Sequence, residues 1–138
     1  MASFNKFNVF TYDALAAKHD FTTHTYKVAL SNTAPSASNS VIADITQISS
    51  GNGYTTGGTA TTITLSTSSG TAKVVGTDVV FTASGGSIGA LRYAVLYNAT
   101  TSGNPLVGWW DYGSSITLAS GETLTVDFDG TAGILTIT

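Results

Sequence analysis

The run Arg92-Tyr93-Ala94-Val95-Leu96-Tyr97-Asn98 decides the fold. In an extended strand, successive side chains point to opposite faces. Tyr93, Val95 and Tyr97 then share one face, and Ala94 and Leu96 share the other. Both faces are apolar, so this strand must be covered on both sides and belongs at the centre of a sheet. The run Thr123-Leu124-Thr125-Val126-Asp127-Phe128 reads differently. Leu124, Val126 and Phe128 face a core, while Thr123, Thr125 and Asp127 face water. Working outward, further strands are expected at Thr25–Leu30, Ala60–Leu65, Thr71–Val75, Asp78–Ala83, Leu106–Asp111, Ser115–Leu118 and Ile134–Thr138. Turn residues separate them at Ser69-Gly70, Gly76-Thr77, Ser84–Gly86, Ser102–Pro105, Gly113, Ser120-Gly121 and Asp129-Gly130. Many short strands at this spacing predict an all-β, antiparallel, jelly-roll-like sandwich.

One short helix is expected near the N-terminus. Asp13–His19 contains good helix formers, with Thr11 or Asp13 placed to cap it. Phe4, Phe7, Val9, Phe10, Tyr12 and Phe21 surround it. These aromatics either fasten the helix onto the sandwich or form an arm that docks on a neighbouring subunit. Residues 1–24 form this arm and helix. Ser31–Ser40 reads as a loop, Val41–Ile48 as one helical turn leading to a short strand, and Ser49–Gly58 as a long loop centred on Tyr54. No composition shift divides the chain, so residues 1–138 read as one domain.

Composition narrows the function. Hydrophobic residues make up 42% of the 138, enough for a core, but charged residues only 9%. The surface polarity must come from Ser, Thr, Asn and Gly. The net charge is −3, and five scattered Lys/Arg cannot cover a phosphate backbone, so no nucleic-acid partner is expected. No apolar run reaches the ~18 residues of a membrane-spanning helix, so no membrane partner is expected either. There is no cysteine, which removes disulfides and thiolate metal sites. Met1–Lys6 lacks the apolar stretch of a secretory signal, so synthesis in a host cytoplasm is expected.

No constellation carries catalysis, and no metal or other cofactor is expected. His19, Asp20 and His24 lie close in sequence, yet a metal centre needs three or four ligands held at one point. Asp127-Phe128-Asp129-Gly130 begins like a calcium loop but runs into a strand without the closing Glu. No Gly-x-Ser-x-Gly elbow is present. Asn98-Ala99-Thr100 matches a glycosylation sequon. The most informative local run is Trp109-Trp110-Asp111-Tyr112. Adjacent strand residues face opposite sides, so one Trp should enter the core and the other face outward or meet a neighbour. Exposed aromatics mark interfaces and sugar-binding surfaces. Phe4, Phe7, Phe10, Tyr54, Trp109, Trp110 and Tyr112 are the candidate interface residues.

Six stretches carry a resemblance: Tyr26–Pro35, Val41–Ile48, Gly51–Gly58, Arg92–Asn98, Gly108–Gly113 and Gly121–Phe128. In these runs the chain resembles small virion proteins of tailed bacteriophages, similar to capsid decoration (cement) proteins. The resemblance implies a structural role on the capsid surface of the virion. It implies the major capsid protein as partner and a homo-oligomer, trimeric by the threefold positions a shell offers. It brings no catalytic residues. The alternative is a receptor- or glycan-binding module of a phage tail or fibre, suggested by Trp109–Tyr112 and the Tyr54 loop.

Overall fold

The computed structural model describes residues 2–138. In chain order, the described residues form β1 (Asn5–Lys6), α1 (Asn8–Leu15), β2 (Tyr26–Ser31), a 3-10 turn (Ile42–Asp44), β3 (Thr59–Thr61), β4 (Ile63–Ser68), β5 (Thr71–Gly76), β6 (Val79–Thr82), β7 (Ile88–Asn98), β8 (Leu106–Leu118), β9 (Thr123–Val126) and β10 (Leu135–Ile137). Every strand pair is antiparallel. The main sheet has the order β1-β8-β7-β2-β3, and two smaller sheets have the orders β10-β5-β4 and β6-β9. The protein is an all-β sandwich with one short helix.

The reading of Arg92–Asn98 explains the layers. β7 lies at the centre of the main sheet, between β2 and β8. Leu96 points with Val28 and Trp110 toward Val79, Phe81, Phe128 and Ile134 of the smaller sheets and their flanks. Val95 and Tyr97 point the other way, with Ala29 and Leu106, where Phe7 and Ile45 close the face. Each fully buried aliphatic side chain contributes about 1.5–3 kcal/mol, so two covered faces on one strand make β7 the energetic centre of the fold. In the strand β9, Leu124 and Val126 are half-buried while Thr123 and Thr125 are exposed, as the alternation requires.

Three register shifts interrupt the β7–β8 ladder, and two of them place extra residues in β8. Leu96 pairs with Gly108 and Tyr97 with Leu106, which leaves Val107 as an extra residue. This bulge reverses the facing of every residue beyond it. The second lies between the Leu91–Ile116 and Tyr93–Asp111 pairs, where Tyr112–Ser115 oppose Arg92 alone. Gly113 sits there with φ +100°. The expected turn at Gly113 is therefore a bulge within one long strand, and the expected strands Leu106–Asp111 and Ser115–Leu118 are its two limbs.

The helix is displaced from its expected place. It begins at Asn8 and ends at Leu15, so Asp13 and Thr11 lie inside it and cap nothing. Its first N–H is held by the loop, Asn8 N donating to Ala37 O at 2.9 Å. It stops because Ala17 adopts φ +60°. Lys18 N donates to Asp13 O and Ala17 N to Ala14 O, the paired bonds of a Schellman ending. The segment Val41–Ile48 keeps its helical turn, but only Gln47 bridges to Ser31, so no strand follows. Among the described residues, no helix is long and apolar enough to cross a membrane.

Candidate functional site

The N-terminal segment straddles the edge of the main sheet. β1 pairs with β8 through Asn5–Trp109 and Lys6–Gly108. Phe4 and Phe7, on either side of β1, then clasp the sheet from opposite faces. Phe4 lies 5.3 Å from the Trp110 ring, and Phe7 lies 4.5 Å from the Trp109 ring. Such tilted aromatic pairs add about 0.5–1.5 kcal/mol beyond the area they bury. Gly108 makes the clasp possible, since a Cβ there would stand 2.1 Å from the Phe4 ring. The aromatics fasten the arm to its own body.

The candidate residues therefore separate. Phe7 is fully buried, Phe10 is packed beside His19 and Phe21, and Tyr54 is 3% exposed. These three are core residues and present no surface for an interface. The Tyr54 hydroxyl accepts from Leu30 N at 3.0 Å and donates to Gln47 Oε1 at 3.1 Å, tying the 49–58 loop to β2. Both tryptophans are half-buried, on opposite faces: Trp109 under Phe7, Trp110 between Phe4 and Phe128. Tyr112 is 58% exposed.

Trp110 and Tyr112 meet at one place. A groove of about 270 Å³ opens between the main sheet and β9, floored by Leu91, Ala94, Trp110, Leu124 and Val126. Arg92, Tyr93, Tyr112 and Asp127 form its polar rim. Arg92 reaches the neighbouring strand and binds Asp111 in a two-pronged contact, Nε to Oδ1 at 2.8 Å and a terminal nitrogen to Oδ2 at 3.0 Å. Gly113 N adds a third donor to Asp111 at 2.8 Å, which the bulge brings into place. The Arg92 guanidinium, then the Gly113 amide, hold the Asp111 carboxyl below its usual range. It stays ionised near neutral pH and serves as a fixed acceptor. The Arg92 guanidinium also lies 5.4 Å from the Tyr93 ring centre. An apolar floor with a rim of fixed charges and an exposed phenol is suited to binding. Sequence reasoning missed Arg92 and Asp127. The available signal was Arg92 itself, a lone charge heading an otherwise apolar strand.

The histidines form a second polar cluster at the other end of β7. Asn98 is fully buried and acts as its hub. Its Nδ2 reaches Lys18 O at 3.1 Å and His24 Nδ1 at 2.9 Å, and its Oδ1 accepts from Thr100 N and Thr101 N. Asp20 accepts from Thr22 and Thr23 and folds the 20–24 turn. Among the described residues, no group of three His, Asp or Glu could hold a metal ion together. Asp129 closes its own loop, accepting from Thr131 N and Ala132 N at 2.8 Å each.

No protein-family model matches the chain, no curated protein matches it, and no solved structure matches it.

Proposed function

We propose that this chain is a structural bacteriophage virion protein, a capsid decoration or cement protein that binds the major capsid protein and stabilises the head. The observation that carries the reading is the groove at Trp110 and Tyr112. The candidates Phe7, Phe10 and Tyr54 are spent on closing the sandwich, whereas this apolar-floored opening keeps Trp110 and Tyr112 available for contact. Its occupant in this reading is an apolar side chain on a loop of the capsid protein. One such contact is small, but a shell repeats it by symmetry, and multivalency holds an oligomer where one site would let go. The resemblance of Tyr26–Pro35, Arg92–Asn98 and Gly108–Gly113 to tailed-phage virion proteins points the same way.

The test is the copy number of the chain in purified particles, measured by quantitative mass spectrometry against the major capsid protein. A simple ratio with hundreds of copies is expected. A few copies per particle, or none, would overturn the proposal. A second reading is a glycan- or receptor-binding module of a tail or fibre. It is favoured by the exposed Tyr112 ring beside the Arg92–Asp111 pair, since sugars stack on aromatic rings and bond to fixed carboxylates. Saturable binding on a glycan array, lost in Tyr112→Ala, would select it.

A further inference from the structure

We infer that two copies of this chain pair edge to edge through β4, antiparallel, across a twofold axis at Leu65. A free sheet edge is a template for another strand, and proteins blunt such edges with short strands, bulges, charges or proline. The other edges here are blunted. β3 and β10 have three residues each, β6 and β9 four each, and β8 is capped by β1 and then bulged at Tyr112–Ser115. β4 is not. It pairs with β5 over six residues without a register shift, and among the described residues its far side has no backbone partner. From Thr62 to Ala72 there is no charged residue and no proline. Thr64–Ser68 are all exposed.

The hairpin geometry fixes which groups are free. Ser69 and Gly70 have φ +49° and +80°, a two-residue turn that makes Ser68 and Thr71 the closing hydrogen-bonded pair. Hydrogen-bonded pairs alternate along an antiparallel ladder, so Ser66–Lys73 and Thr64–Val75 are the next two. The bond from Thr77 N to Thr62 O at 3.0 Å continues the same alternation. Ile63, Leu65 and Thr67 therefore aim their N–H and C=O groups away from β5, into solvent.

These three residues are self-complementary. An axis at Leu65 sets Ile63 against Thr67 of the second copy, Leu65 against Leu65, and Thr67 against Ile63. Each opposed pair exchanges two bonds, about six in all. The same axis brings together the two Leu65 side chains, each 43% exposed in the single chain. That pairing is what favours a second copy over an unrelated strand, which would leave Leu65 without a matched partner. A twofold contact of one patch with itself also closes at two copies, and the joined sheet ends on each side in the short strand β10.

The test is a sedimentation-equilibrium mass measurement of the full chain from micromolar to near-millimolar concentration, beside Leu65→Pro and Leu65→Lys. The wild type should reach twice the 14.1 kDa of one chain. Proline at 65 removes only an outward N–H, which an edge strand tolerates, so both variants should keep the wild-type circular dichroism and stay single. Hydrogen exchange on the unaltered chain gives a separate reading. Amides of Ile63, Leu65 and Thr67 should be slow at high concentration and fast on dilution, while those of Thr64, Ser66 and Ser68 stay slow. A single-chain mass throughout, a trimer, or pairs that persist in both variants would overturn the inference.

Discussion

His19 is wedged among Phe10, Phe21 and Tyr26, and its Nε2 has no hydrogen-bond partner among the described residues. Burial lowers its pKa to about 4, against the opposing pull of Asp13. The folded value lies below the ordinary 6.5, so between the two the unfolded chain binds more protons. Stability is then full above about pH 6.5 and is lost as pH falls toward 4, by up to about 3 kcal/mol. Thermal melts across pH 4–7 should show this slope, and His19→Gln should flatten it. Ala17 gives a prediction of opposite sign. It holds the left-handed position that usually takes glycine. Ala17→Gly should stabilise the fold by about 0.5–1 kcal/mol in denaturant melts, relief of the left-handed penalty exceeding the entropy that glycine loses. Tyr54→Phe should cost about 1–3 kcal/mol, because it leaves the buried Leu30 N–H without an acceptor.

Among the elements, the arm around β8 is the most consequential. Phe7→Ala should destabilise by about 3–5 kcal/mol by opening the buried face that Phe7 shares with Val95, Tyr97 and Leu106. Urea titration would measure it, and protease cleavage near α1 should accelerate in step. Much at this level was legible in the sequence. Apolar residues on both faces of Tyr93–Asn98 announced the central strand, and the alternation in Thr123–Phe128 announced a one-sided one. The helix was harder to place, because its bounds are set from outside it. Ala37, distant in sequence, holds its first N–H, and the Lys18–Asp13 ion pair at 2.9 Å folds back its last turn. Local propensity therefore pointed to Asp13–His19, where the chain turns away. Gly113 was a true signal of irregularity, but one residue cannot distinguish a bulge from a reversal. The groove depends on the bulges that set β8 against β7, and register of that kind is a tertiary property. The Trp pair showed opposite facing, but not that Phe4 and Phe7 would cover both rings.

For the whole molecule, the scarcity of charge has a measurable result. Two ion pairs occur among the described residues: Arg92–Asp111 lies at the surface, where salt screens it, and Lys18–Asp13 joins an exposed ammonium to a buried carboxylate and is screened less. The melting temperature should therefore change little between about 0.05 M and 1 M sodium chloride, apart from the general effect of salt on apolar burial. In the decoration reading, particles lacking the chain should lose DNA at lower temperature than complete ones, and Tyr112→Ala should lower its occupancy on them while leaving its own melt unchanged.

The buried Asn98 has a practical consequence for anyone producing the protein. A eukaryotic secretory host attaches sugars to Asn-X-Thr while the chain is still unfolded, when Asn98-Ala99-Thr100 is as open as any other segment. A glycan there would stand where the Asn98 amide meets Lys18 and His24. Modified chains would then be stranded outside the native state and degraded. Thr100→Ala removes the signal at the cost of a surface bond to Thr25 N and leaves Asn98 in place, whereas replacing Asn98 itself would unfasten the end of β7.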